Sequence, residues 1–139
     1  MNIKSLVFFL LCIVTAQYAT AQNPPQPSWL GDAVVYQIYP SSFQDSDGNG
    51  IGDLPGIISR LEYIKSIGVT AIWMNPVFVS GWQDGGYDVI DFYKTDPRFG
   101  TNDDVVKLIE KAHSLDIKVI LDLVAGHSSI DCAWFKQAA

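Results

Sequence analysis

Three short runs, "AVVYQIYP" (33–40), "TAIWMN" (70–75) and "KVILDLV" (118–124), are apolar at almost every position. A strand with one wetted face alternates apolar and polar residues. A continuous apolar run rich in β-branched and aromatic side chains instead suits a parallel sheet covered on both faces. Parallel neighbours need long crossovers, usually helices, and helical spacing lies between the runs. In "LPGIISRLEYIKSIG" (54–68), Ile57, Leu61 and Ile64 recur at that spacing. Asp53 suits the N-cap, Pro55 the first turn and Gly68 the stop. In "VVKLIEKAHSL" (105–115), Val105, Leu108, Ile109 and Ala112 share a face, and Thr101 with Asp104 forms a capping box. Strand–helix alternation of this kind makes the class α/β. Trp73, inside the second run, is expected in the core, and His113 on a helix surface.

Between the first strand and its helix stands "DSDGNGIGD" (45–53). Asp45, Asp47, Asn49 and Asp53 offer oxygen ligands for a hard cation, with glycines between them to allow a tight wrap. Asp45, Asp47, Asn49, Gly50 and Ile51 match the first half of an EF-hand loop, but position 12 is Gly56, so the closing Glu is missing. The run before the loop reads as a strand rather than a helix. The EF-hand assignment fails on both counts. The plain alternative is a surface loop of Asx turns without metal.

The N-terminal stretch "MNIKSLVFFLLCIVTAQYATAQ" shows Lys4, an apolar run from Leu6 to Ala16 and then Ala19-Thr20-Ala21. This is the pattern of a secretory signal peptide over residues 1–21, cleaved before Gln22. The run is short of the ~20 residues of a membrane span, so no membrane attachment is expected after cleavage, and the location is secreted or periplasmic. Removal of Cys12 would leave Cys132 alone, and no disulfide within this stretch. Residues 22–32, with "NPPQPS", read as an extended lead-in to a domain over 33–139. The net charge of −6 is spread without runs or a basic patch, which argues against nucleic acid as a partner.

The connection from Pro76 to Gly100 is far longer than the ~2–6 residues usual between a strand and its helix. It carries Trp82, Asp84, Tyr87, Asp88, Asp91 and Tyr93. Loops after the C-terminal ends of strands are where α/β barrels keep their sites. Aromatic faces and carboxylates together suit a sugar: rings pack on its C–H face while carboxylates accept from its hydroxyls. The plain alternative is a loop packed by its own aromatics.

"VVYQIYPSSFQDSDGNGIGDLPGI", "AIWMNP", "GGYDVIDFYKTDPRFGT" and "KVILDLVAGHSSIDCAWF" together resemble the start of the catalytic domain in glycoside hydrolase family 13, the α-amylase family. Within it, they are most similar to the oligo-1,6-glucosidase and α-glucosidase branch. The resemblance runs from about Ala33 to Phe135 and implies the N-terminal part, about three strand–helix units, of a (β/α)8 TIM barrel. It implies one calcium ion on the side chains of Asp45, Asp47, Asn49 and Asp53 and the carbonyl of Ile51. It implies a glucose subsite in which Asp84 meets hydroxyls, Tyr87 stacks beneath the ring and His127 donates to the sugar. Asp122 would support that site. A solvated Asp84, a packing Tyr87 and a structural hydrogen bond at His127 are the corresponding plain readings.

The activity implied is retaining hydrolysis of α-glucosidic bonds in glucose oligosaccharides or α-glucans. Such chemistry takes two carboxyl groups ~5–5.5 Å apart. The resemblance places them beyond residue 139, so the chain by itself is expected to be inactive. A non-catalytic barrel acting as a binding or transporter-associated subunit is the alternative from another class. Transglycosylation or sugar isomerisation is the alternative within the enzyme class. Two positions depart from the family pattern. Gly126 stands where an asparagine usually precedes the histidine, which argues against a second calcium site of the amylase kind, and Ser41 stands where an arginine commonly follows Tyr-Pro.

Overall fold

The computed structural model describes residues 25–138. The expected signal peptide (1–21) and the start of the lead-in lie outside those residues. Two units divide the chain, Met1–Asp32 and Ala33–Ala139. In the described part of the first there is no helix or strand, and one turn is closed by the Leu30 N–H on the Pro27 carbonyl. Among the described residues, no helix is long and apolar enough to cross a membrane.

The second unit runs β1 (Val35–Ile38), α1 (Pro40–Phe43), α2 (Leu54–Ser66), β2 (Ala71–Met74), β3 (Phe78–Ser80), β4 (Val89–Thr95), α3 (Asn102–Ser114), β5 (Lys118–Leu121) and α4 (Ala133–Ala138). β1, β2 and β5 form a parallel sheet in that order, with Val35, Ala71 and Lys118 in register at one end and Ile38, Met74 and Leu121 at the other. The expected α/β alternation is present. Side chains alternate across a strand, so Ile38, Ile72 and Met74 fall on one face. There they pack with Ile57, Leu61 and Ile64 of α2 and with Leu108 and Ala112 of α3. Each Ile, Leu or Met of this set, fully buried, contributes roughly 1.5–3 kcal/mol of transfer free energy.

The helix ends follow the expected chemistry. The Asp53 carboxylate accepts from the Gly56 N–H at 2.6 Å and caps α2. At the other end Gly68, at φ +88°, takes the left-handed stop. Thr101 and Asp104 close a reciprocal box at the start of α3. α3 ends on a 6→1 bond from the Ile117 N–H to Ala112 and a 5→2 bond from the Asp116 N–H to His113. Asp116 itself sits at φ +53°.

Four expectations are corrected. β1 stops at Ile38, because Pro40 opens the one-turn helix α1; its fixed φ suits a first helical position as well as a strand end. β5 stops at Leu121 rather than Val124, because the chain turns back with the Ala125 N–H on the Leu123 carbonyl. The sheet is covered on one face only: Ile72 and Met74 are wholly buried, whereas Val35 is 44% exposed and Trp73 36%. Trp73 is therefore not a core residue. Finally, the long connection contains β3 and β4, paired as an irregular antiparallel hairpin.

Candidate sugar site and metal loop

The three parallel strands deliver their C-terminal ends to one side. Ladder bonds continue one residue past β2 and β5, from the Asn75 N–H to the Ile38 carbonyl (3.0 Å) and from the Asp122 N–H to the Met74 carbonyl (3.1 Å). Asn75 and Asp122 are thus fastened by backbone, not held on free loop. From this platform a chain of side-chain bonds crosses all three strands. Gln37 Nε2 donates to Asn75 Oδ1 at 3.1 Å, Asn75 Nδ2 to the Tyr87 hydroxyl at 2.9 Å, and that hydroxyl to Asp122 Oδ2 at 2.7 Å. The bond to Asp122 is the main cause holding the Tyr87 phenol above its usual pKa, with burial and the Asp122 charge adding; the bond from Asn75 pulls the other way.

Tyr87 comes from the tip of the β3–β4 hairpin. The Asp88 carboxylate gathers that tip, accepting from the N–H groups of Gln83 (3.2 Å) and Asp84 (3.3 Å). A Cβ on Gly81 would lie 2.5 Å from Asp88 Oδ2, so a side chain there would push the carboxylate off these bonds. The Tyr87 N–H bonds the Asp84 carbonyl at 2.9 Å, and the Asp84 carboxylate adds its charge to the field on the phenol. Trp82, at φ +58°, is used in packing. Its indole donates to the buried Asp96 at 2.9 Å, meets Phe99 edge-on at 5.5 Å and lies under the Arg98 guanidinium at 4.3 Å. The loop's aromatics therefore divide, Trp82 serving the loop itself and Tyr87 the strand ends.

Asp84, Tyr87 and Asp122 are brought together in this way. His127 is exposed and lines a separate open cavity of about 460 Å³ with Phe92, Tyr93, Leu123 and Trp134. Among the described residues it has no hydrogen bond to the other three. Sequence reasoning missed Gln37, Asn75 and the organising role of Asp88. The signal was available: Gln37 is the one amide in the first apolar run, and Asn75 closes the second, at the end of the strand where α/β barrels build sites.

In the loop between α1 and α2, ligand oxygens of Asp45, Asp47 and Asp53 all lie within 4.8 Å of one another. Nested Asx turns shape it. Asp45 accepts from the N–H groups of Asp47, Gly48 and Gly50, at 3.1, 2.7 and 2.7 Å, and Asn49 Oδ1 from that of Ile51 at 2.8 Å. The Gly50 and Gly48 bonds hold the Asp45 carboxyl below its usual range. Gly48 and Gly50 sit at φ +81° and +89°, where a side chain would be strained. Among the described residues no Lys, Arg or His pairs with Asp45, Asp47 or Asp53. Asp47, Asn49 and Asp53 face an open cavity of about 310 Å³ whose other wall is Pro97–Gly100. Three close carboxylates without a salt bridge to Lys, Arg or His, an amide oxygen and room beside them fit a hard divalent cation.

The family profile described as "Alpha amylase, catalytic domain" matches residues 37–139. Over 129 residues the chain is 53% identical to Maltase A2 of Drosophila melanogaster, covering 93% of this chain and 22% of that protein. It is 49% identical over 110 residues to an oligo-1,6-glucosidase of Heyndrickxia coagulans, covering 79% of this chain and 20% of the relative. The crystal structure of isomaltulose synthase from Erwinia rhapontici NX5 superimposes with a TM-score of 0.78 at 43% identity, over 83% of this chain and 21% of that one. The chain spans about a fifth of the length of the proteins it matches.

Proposed function

The chain belongs to the α-amylase catalytic-domain family, as the N-terminal part of its (β/α)8 barrel, and from that premise we propose that the whole protein acts on α-glucosidic bonds of glucose oligosaccharides or α-glucans. The observation that carries this reading is the bonded chain Gln37–Asn75–Tyr87–Asp122 at the strand ends, with Asp84 beside it. In the proposed subsite the Asp84 carboxylate accepts from sugar hydroxyls, the Tyr87 ring packs on a C–H face, and Asp122 holds the phenol that carries the ring. His127 donates to the same sugar once glucose bridges from Tyr87. The reaction retains anomeric configuration, with nucleophile and general acid supplied by carboxyls outside residues 1–139.

The proposal includes one calcium ion, held by Asp45, Asp47, Asn49, the Ile51 carbonyl and Asp53. When bound, the ion would offset two of the three carboxylate charges and tie together the loop that enters α2. The pattern of residues 1–21 supports a secreted or periplasmic location. The relatives are a maltase, an oligo-1,6-glucosidase and an isomaltulose synthase, and the last favours isomerisation as a second reading.

The test is the full-length protein with p-nitrophenyl α-glucoside, and with maltose and sucrose followed by product chromatography. Hydrolysis in the wild type and a loss of about 10- to 100-fold in kcat/KM for Asp84→Ala are expected from removal of charge-assisted bonds to hydroxyls. Isomaltulose as the main product from sucrose would favour the second reading. Wild-type kinetics in Asp84→Ala would remove that residue from the site.

A further inference from the structure

Asn75 has so far been a link in the bonded chain with no role of its own. Yet among the described residues it and Asp122 are the two side chains that bond the Tyr87 hydroxyl, Asn75 from the end of the sheet's central strand. The donor and acceptor inventory gives the chain of bonds a single direction. As a carboxylate, Asp122 can only accept, so the Tyr87 hydroxyl must spend its one proton on it. The phenol oxygen is then left as an acceptor, and Asn75 must present Nδ2 rather than Oδ1 to it. That orientation turns Oδ1 toward Gln37, whose amide must donate. All three contacts obey this order, at 2.7, 2.9 and 3.1 Å. Reversing either amide would set acceptor against acceptor or donor against donor. The backbone leaves Asn75 no freedom to drift, since its N–H is committed to the Ile38 carbonyl. Tyr87, by contrast, arrives on a hairpin tip flanked by Gly85 and Gly86 at φ +60° and +104°. A rigid strand end thus grips a side chain on a turn.

We propose that Asn75 is a positioning residue: its amide, oriented by Gln37, directs the Tyr87 hydroxyl onto Asp122 and thereby sets the tilt of the aromatic ring on which a sugar packs. The sugar-packing half of this statement rests on the function proposed above; the bonded relay does not. Asn75 touches no substrate. It acts through Tyr87, so its contribution should vanish when the Tyr87 hydroxyl is absent, which separates it from a residue that merely supports the fold.

The experiment uses the full-length protein in five forms: wild type, Asn75→Ala, Asn75→Asp, Tyr87→Phe and the Asn75→Ala/Tyr87→Phe pair. Melting by circular dichroism checks folding, and kcat and KM are measured on p-nitrophenyl α-glucoside across pH. Asn75→Ala should lose about ten-fold in kcat/KM, the scale of one hydrogen bond. In the Tyr87→Phe background the same change should cost less than about two-fold. Asn75→Asp keeps the shape but loses the donor. Its kcat/KM relative to wild type should therefore recover as pH falls and the new carboxyl gains a proton to donate. Additive losses, or an Asn75→Asp loss that is the same at every pH, would overturn the proposal. If Asn75→Ala does not fold, Asn75→Asp alone decides. If the wild type turns over no α-glucoside, the proposed function fails while the relay is still read by absorbance titration of Tyr87, identified by difference from Tyr87→Phe. Asn75→Ala should then move that one ionisation upward, and an unmoved ionisation would overturn the relay.

Discussion

Asp53 carries two duties that can be separated from those of its neighbour Asp47. One oxygen of Asp53 caps α2 at the Gly56 N–H while the other accepts from Ser46. Among the described residues, the Asp47 carboxylate accepts only from Asn49. Asp53→Ala should therefore cost roughly 1 kcal/mol even in a chelator, through the lost cap. Asp47→Ala should be silent in a chelator, within ~0.5 kcal/mol, but should abolish the gain on adding calcium, which is about 2.7 kcal/mol at a hundred times Kd. Thermal melts of the full-length protein with EDTA or with calcium check both outcomes, and an unchanged calcium gain in Asp47→Ala would remove it from the metal site. Tyr87 gives a pH signature. Its folded pKa is raised, by the Asp122 bond first and then burial. Its contribution to stability is therefore whole below the ordinary phenol value of about 10 and is lost as pH rises through the folded value. The tyrosine missing from an alkaline absorbance titration of Tyr87→Phe should be one that ionises above that ordinary value.

Among the elements, the join between α1 and α2 is the most tightly specified. A Cβ on Gly56 would run into the Gln44 carbonyl, and one on Gly52 into the Pro40 carbonyl, both rigid backbone. A Cβ on Gly48 would meet nothing, though its φ of +81° disfavours a side chain. Gly56→Ala should thus destabilise by at least ~3 kcal/mol, the upper range of overpacking. Gly48→Ala should cost only the ~1–2 kcal/mol of a left-handed side chain. Denaturant titration orders the two, and equal losses would contradict the close packing. The same join ties the two loops together, because the Leu54 N–H at the start of α2 bonds the carbonyl of buried Phe99, whose ring meets Trp82. The hairpin β3–β4 was legible after the fact in "VIDFYKT", rich in strand-forming residues. Its bulged, irregular pairing leaves no clean period of two in the sequence.

At the scale of the molecule, the sheet β1–β2–β5 keeps one face on the helices and leaves the other, with Val35, Gln37 and Trp73, in the open. In a closed barrel that second face turns inward, against strands on the far wall. Residues 22–139 expressed alone should therefore aggregate rather than melt cooperatively as a monomer, since unpaired strand edges and apolar surface promote association. They should also leave p-nitrophenyl α-glucoside unhydrolysed. Size-exclusion chromatography with calorimetry reads the first outcome and a glucosidase-free assay the second. A monodisperse, cooperatively melting monomer would contradict the dependence on closure.

Periodicity and cap chemistry are local, and the chain by itself was enough to set α2 between Asp53 and Gly68, α3 behind Thr101, and the α/β alternation of three apolar strands. The close set of Asp45, Asp47 and Asp53 was legible for the same reason, because ligands two to eight residues apart converge through turn geometry alone. What tertiary structure decided is which residues meet across long separations. The apolar run around Trp73 points to the core, yet the helices cover only the opposite face. The bond from Tyr87 to Asp122 joins positions 35 apart in sequence, and that from Gln37 to Asn75 joins positions 38 apart. No local pattern encodes such pairs. They follow from strand order and register, which place three C-terminal ends side by side and leave donors and acceptors to find one another there.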